Sequence, residues 1–276
     1  MAYADEVFLN NCQLIMHAGY LEKDPNQRAR WPDGSVAYTQ HYFGLTNRYD
    51  LEHEFPALTL RPTPMKNCID ELLWIWQKRS VSVADLRSRI WDAWQDESGT
   101  IGKAYGYQLA QTASYPEGEF NQVDRIRYLL RHQPLSRRMV ATMYIPSDLH
   151  EMQLYPCAWS LTLQVTNGRL NAVLNQRSQD MLVANNWNVF QYAILLHLFA
   201  READLEVGEL LHVIADAHIY DRHFELVEEL ISRPAYPAPM LWINPDKKDF
   251  YDFCVDDFRL EDYRHGPAMK QIPVAI

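Results

Sequence analysis

The stretch Leu154 to Asp180, LYPCAWSLTLQVTNGRLNAVLNQRSQD, constrains this chain more than any other. Leu161, Leu163 and Val165 alternate with Thr162 and Gln164, the period of a half-buried strand. Asn167-Gly168 is a tight-turn dipeptide, and Leu170 to Leu174 reads as the returning strand. Such a hairpin brings Cys157, ahead of the first strand, near Gln176-Arg177-Ser178 at the end of the second. A thiol facing an arginine and a hydroxyl is chemically suggestive, because the cation stabilises the thiolate and the thiolate is the nucleophile.

Composition limits what that site can be. The 276 residues, 47% of them hydrophobic, suffice for a sizeable core, and we read one domain over residues 1–276. A net charge of -10 argues against a broad nucleic-acid-binding surface, although a local basic pocket for a small phosphate is compatible with it. Cys12, Cys68, Cys157 and Cys254 stand far apart and form no CxxC pair. That spacing suits neither a zinc module nor a dense disulfide framework, so no metal is expected and a reducing cytosol is the simpler setting. The N-terminus, MAYADEVFLNNCQLIM, lacks a basic region before an apolar run, and no run approaches membrane-spanning length. Neither a leader nor a membrane span is expected.

In chain order, Asp5 to Ala18 has helical spacing closed by Gly19. Arg28 and Arg30 stand beside Trp31 and the turn Pro32-Asp33-Gly34 as loop charges, and Tyr38 to Tyr49 and Phe55 to Leu60 look like strands. Met65 to Gln77 is a helix whose apolar stripe includes Ile69, Leu72 and Leu73, with Glu71 at its edge. Glu71 reads either as a boundary carboxylate or as a pocket acid able to hold a water for proton transfer. Trp91 and Trp94 are core packing or flat walls for a heteroaromatic ligand. Asn121 to His132 reads as a helix, and Arg137-Arg138 precede a strand candidate over Met139 to Ile145. Asn188 opens a buried helix as a cap or as a reader of a ligand. Gly208 to Tyr220 reads as a buried strand on which His218 and Tyr220 point the same way.

Taken together, ELLW at Glu71, IWDAW at Trp91, SRR at Arg137, PC at Cys157, QRSQD at Gln176, NxxxYA at Asn188, DAHIY at Asp216 and the terminal PVAI resemble the classical, folate-reducing thymidylate synthases in order and spacing. The resemblance covers essentially the whole chain. It implies an α/β fold with a large twisted mixed sheet flanked by helices, dimerising through the sheet. It also implies reductive methylation of deoxyuridylate (dUMP) to dTMP, with 5,10-methylenetetrahydrofolate as cosubstrate and hydride source. No flavin or nicotinamide is then required, in keeping with the lack of a GxGxxG element.

Residue by residue, the resemblance implies that Cys157 attacks carbon 6 of the uracil, with Tyr105 as a helper near the nucleophile, and that Glu71 orders the proton-moving water. Arg177 would lower the thiol pKa. Arg177 and Ser178, with Arg30, and with Arg137 and Arg138 of a partner subunit, would bind the phosphate. Arg28 is the alternative to Arg30. Gln176 belongs to the nucleotide set, Asn188 would read the uracil edge, and His218 and Tyr220 would hold the sugar hydroxyl. Asp180 would bind the pterin, Trp91 and Trp94 would wall it, and the Ile276 tail would close over the site. Three positions depart from the pattern: Ala158 where many members have histidine, Trp187 in place of a phenylalanine wall, and Arg222 where asparagine is frequent. Two other readings stand beside this one: a hydroxymethylase acting on dUMP or dCMP, which would quench the exocyclic methylene with water, and a regulatory RNA-binding protein.

Overall fold

The computed structural model describes residues 1–276. Helix α1 (Tyr3–Ala18) is followed by the edge strand β1 (Tyr20–Glu22) and the long strand β2 (Thr39–Asp50). Helix α2 (Met65–Leu73) runs into a π-turn over Trp74–Lys78 that stops at Arg79, where φ is 53°. Next come α3 (Gly106–Ala110), the hairpin β3 (Thr112–Tyr115) and β4 (Gly118–Asn121), and α4 (Gln122–His132). The Asn121 side chain caps α4 by accepting from Asp124 N. Strands β5 (Val140–Thr142), β6 (Ala158–Thr166), β7 (Arg169–Gln176) and the two-residue β8 (Gln179–Asp180) lead to α5 (Asn185–Glu202) and β9 (Glu206–Tyr220). Helix α6 (Phe224–Ile231) and the paired strands β10 (Met240–Ile243) and β11 (Phe258–Glu261) complete the chain.

One seven-stranded sheet runs β1-β2-β9-β7-β6-β5, with β8 beside β9. It is mixed: β7 and β9 are parallel, and the pairs β2–β9, β6–β7 and β5–β6 are antiparallel. The β6–β7 turn has Asn167 and Gly168 at φ 51° and 78°, the positive values for which this dipeptide is suited. Leu170, Ala172, Leu174 and Gln176 of β7 are buried, as are Leu210, His212 and Ile214 of β9. Helix α5, apolar almost all round, lies on these two strands and against α2, while α1 packs on β2 and β9. Outward residues of the same strands, including Gln164, Arg169, Asn171 and Glu209, line an open groove of about 780 Å3.

Three elements differ from the sequence reading. Phe55 to Leu60 is buried but forms no strand. Its polar groups are met elsewhere: Thr59 N donates to Asp5 Oδ1 (2.7 Å), Gly266 N to Thr59 O (2.8 Å) and Tyr263 Oη to Leu58 O (2.6 Å). The strand expected over Met139 to Ile145 contracts to Val140–Thr142. Gly19 does end α1, but with φ -73°; a Cβ there would lie 2.2 Å from Ile15 O, so close packing rather than a left-handed turn calls for glycine.

Candidate active site

Cys157 sits immediately before β6, and the hairpin register places it against Arg177, whose N donates to Cys157 O at 2.9 Å. The guanidinium of Arg177 donates to Pro156 O (3.1 Å) and Tyr155 O (2.8 Å), which brings Nη2 to 3.9 Å from Cys157 Sγ. Cys157 N donates to Tyr105 Oη at 3.1 Å. Tyr105 is buried at φ 42° and is braced edge-on by Trp91 (5.5 Å), a strained backbone retained at the point where it meets Cys157. Burial pushes the Cys157 thiol up, and Arg177 and Arg28 pull it back part of the way. Arg177 thus lowers the thiol pKa in the expected direction, against a larger desolvation cost.

Asn188, in the first turn of α5, is fixed through its side chain. Its Oδ1 accepts from Gln176 Nε2 (3.0 Å) and Gln179 Nε2 (3.4 Å), and it caps no helix. Gln176 Oε1 in turn meets the fully buried His212 Nε2 at 2.8 Å. With its oxygen engaged, Asn188 keeps its amide N–H group for another partner. At the end of β9, His218 Nδ1 lies 2.8 Å from Asp216 Oδ1, and the His218 and Tyr220 rings meet edge-on at 5.1 Å. Asp180 Oδ1 accepts from Leu182 N (2.9 Å) and Val183 N (3.0 Å), which leaves Oδ2 for another partner.

Glu71 is buried, only 6% exposed. One carboxylate oxygen accepts from Trp91 Nε1, and the other from Trp187 Nε1 and from Gln191 Nε2 at 2.6 Å. Burial raises its pKa and these three hydrogen bonds lower it, with burial the stronger. Trp91 and Trp94 stand edge to face at 5.8 Å, and Trp94 Nε1 is buried without a partner.

The loop after β1 holds its two arginines differently. The Arg30 guanidinium is consumed by the carbonyls of its own loop, Gln27 O, Ala29 O (3.0 Å) and Pro25 O (3.4 Å). Arg28 is exposed, and its charge is the one felt at Cys157 and Tyr220. Arg30 instead holds the C-terminus: Arg30 N donates to Ile276 O (2.8 Å) and Ile276 N to Arg30 O (2.9 Å). Arg137 and Arg138 are exposed ahead of β5 and do not join the cluster around Cys157.

Residues 6–276 match the family model described as thymidylate synthase. A thymidylate synthase of Bacillus licheniformis is 40% identical over 98% of both chains, and thymidylate synthase 1 of Bacillus subtilis strain 168 is 38% identical over the same share. The solved thermostable thymidylate synthase A from Bacillus subtilis superposes with a TM-score of 0.94 at 37% identity, covering 99% of each chain. The chain belongs to the thymidylate synthase family. These enzymes are methyltransferases whose cosubstrate is methylenetetrahydrofolate. Each of the relatives named here is called a synthase, which leaves the hydroxymethylase reading without support.

Seen as a thymidylate synthase, the chain gives its departures a physical account. Arg222 donates to Asp33 Oδ2 (2.8 Å) and Ser35 Oγ (2.8 Å) and stacks on Trp31 (5.0 Å), so it fastens the arginine loop. Trp187 is a donor to Glu71 and not only a wall. Trp94 Nε1 is a donor without a partner, and Asp180 Oδ2 is an acceptor outside the Leu182 and Val183 hydrogen bonds. Sequence reasoning overlooked Gln191 and His212. Each is a lone polar residue inside an apolar run, VFQYAILL and LLHVIA, and that is the signal that marks them.

Proposed function

We propose that this chain reductively methylates dUMP through a covalent bond between Cys157 Sγ and carbon 6 of the uracil. Attack by the thiolate moves the electron pair of the carbon 5–carbon 6 bond toward the carbon 4 carbonyl as an enolate, and carbon 5 becomes nucleophilic. Methylenetetrahydrofolate supplies the one-carbon unit and then the hydride, leaving as dihydrofolate. Before the folate is eliminated, Glu71 takes the proton from carbon 5 through a water, and the electron pair left behind expels the folate nitrogen; once hydride has added to the exocyclic methylene, Sγ departs as the carbon 5–carbon 6 double bond re-forms. Asn188, whose oxygen is held by Gln176, offers an N–H to the carbon 4 oxygen of uracil, where cytosine would present a donor.

The observation that carries this reading is the meeting of Cys157, Arg177 and Tyr105, with Arg28 as the second cation felt at the thiol. Arg28, in place of Arg30, joins Arg177 and Ser178 in the phosphate set, which also draws on Gln176. His218 and Tyr220 take the sugar hydroxyl. Asp180, Trp91 and Trp94 take the pterin, and the Ile276 tail, docked on Arg30, closes the site. Residues 1–276 act as one catalytic domain. A second copy covers the open sheet face and receives Arg137 and Arg138, which the groove between the strands and the exposed Phe43 and Trp159 support. Four unpaired cysteines support a reducing, cytosolic setting, and no helix is long and apolar enough to cross a membrane.

The test is incubation of the protein with dUMP and methylenetetrahydrofolate, following dihydrofolate absorbance and the mass of the nucleotide. Dihydrofolate with a methylated nucleotide, both lost in Cys157→Ser, is the expected result. A hydroxymethylated nucleotide without dihydrofolate, or turnover surviving in Cys157→Ser, would overturn it. For the dimer, sedimentation equilibrium should give twice the chain mass, and full activity in a monomer would contradict the sharing of Arg137 and Arg138.

A further inference from the structure

Helix α5 delivers two side chains to the Glu71 carboxylate from successive turns. Trp187 and Gln191 are four residues apart and so share a helix face, which is turned toward α2. Both donate to the same oxygen, Trp187 through Nε1 and Gln191 through Nε2 at 2.6 Å. Gln191 is itself locked, because its Nε2 also donates to Cys68 O (2.9 Å), one turn before Glu71 on α2. The amide is 4% exposed. A carboxylate on a three-bond stem, buried and free to rotate, would have no defined direction; two donors from α5 and one from Trp91 give it one. At the position after the nucleophile stands Ala158, which has no polar group to contribute to such an arrangement.

We propose that Trp187 and Gln191 are positioning residues that aim the Glu71 carboxylate at the nucleotide base and hold it in its proton-accepting form. The inference rests on the proton-moving role given to Glu71 above. Other charges around Glu71 do not supply this. Asp70, its neighbour on α2, is a like charge and is drawn away toward Arg87, whose N donates to Asp70 Oδ2 at 2.8 Å and whose Nε lies 3.9 Å from Oδ1. The Cys68 thiol and the Tyr105 and Tyr192 hydroxyls face Glu71 and are all pushed up by burial, so they remain neutral. Neutral N–H donors are thus what offsets desolvation at this carboxylate.

The experiment is the pH dependence of kcat and of KM for dUMP in the wild type, Trp187→Phe, Gln191→Leu and the double variant. Trp187→Phe keeps a ring of similar shape and removes one N–H. Loss of a donor to the ionised form moves the acid limb of kcat upward, by about one pH unit for a hydrogen bond to a charged group. The double variant should shift further, with KM changed less than threefold. Superimposable acid limbs, or a loss of kcat equal at every pH, would overturn the inference and leave packing as the role of both residues. Should Gln191→Leu fail to fold, Trp187→Phe decides alone. A wild-type protein that made no methylated nucleotide would instead refute the underlying reading of the site.

Discussion

Glu71 and Glu202 are both buried, at 6% and 5% exposure, on helices of the same central layer, yet their charges are met in opposite ways. Glu202, at the end of α5, receives Arg127 Nε on both oxygens (3.0 and 2.9 Å) and Arg131 Nη2 at 2.6 Å. Arg127 also reaches Asp249 (2.8 Å) and stacks on Tyr251 at 4.3 Å. Full cations cancel the buried charge and join α4, α5 and the 249–252 turn. Glu71 has only neutral donors, two indoles and an amide, which satisfy hydrogen bonds without cancelling charge. Burial therefore keeps its proton affinity above that of an ordinary glutamate, which suits a group that must take up and release a proton. The fold uses one buried acid as a fastening and, in the proposed function, the other for chemistry.

Removing each acid should separate the two roles. Glu71→Gln is expected to lower kcat by about 10²–10⁴-fold, the usual worth of a positioned acid or base. Its raised folded pKa means that ionising Glu71 costs stability as pH rises through that value, so at neutral pH the variant should melt within about 4 °C of the wild type. Glu202→Gln leaves Arg127 facing a group without charge and should destabilise by about 3–5 kcal/mol in denaturant titrations. The folded fraction should retain kcat within about threefold, because no group of the cleft touches Glu202.

A third way of burying a titratable group sharpens the contrast. His197 and His212 are left neutral, and burial lowers them to about 4 and about 3. Both bind a proton more readily when unfolded, near the usual 6.5, so their stability contribution is complete above that pH and is lost as pH falls toward 4 and 3. Each adds ~1.4 kcal/mol per pH unit to acid destabilisation. His197→Phe should remove one such increment from the slope of stability against pH between about 6.5 and 4. The smallest effect belongs to Arg131→Ala: this side chain is 45% exposed and shares Glu202 with Arg127, so a loss below about 1 kcal/mol is expected in the same titration.

How much of this was legible in the sequence depends on how far each contact reaches. The β6–β7 hairpin, its Asn167-Gly168 turn and the Cys157–Arg177 meeting are local consequences of period and turn chemistry, and they appear as read. The parallel pairing of β7 with β9 spans the whole of α5, and no local pattern encodes it. Phe55 to Leu60 reads as a strand because it is apolar; only the distant Asp5, Tyr263 and Gly266, which satisfy its backbone, make another conformation possible. Arg28 and Arg30 are two residues apart in one loop, and what separates them is that Arg30 turns back onto Gln27, Ala29 and Pro25. Gln191 and His212 were visible as lone polar residues in apolar runs, but their partners, Glu71 and Gln176, were not.

The most direct test of the account identifies the atom that carries the covalent step. Wild-type protein turning over dUMP and methylenetetrahydrofolate is quenched in acid, digested, and its four cysteine-containing segments are weighed by mass spectrometry. The account predicts a nucleotide mass on the peptide that contains Cys157 and on no other. A nucleotide on the exposed Cys254, or continued turnover with no adduct in the quenched protein, would contradict it.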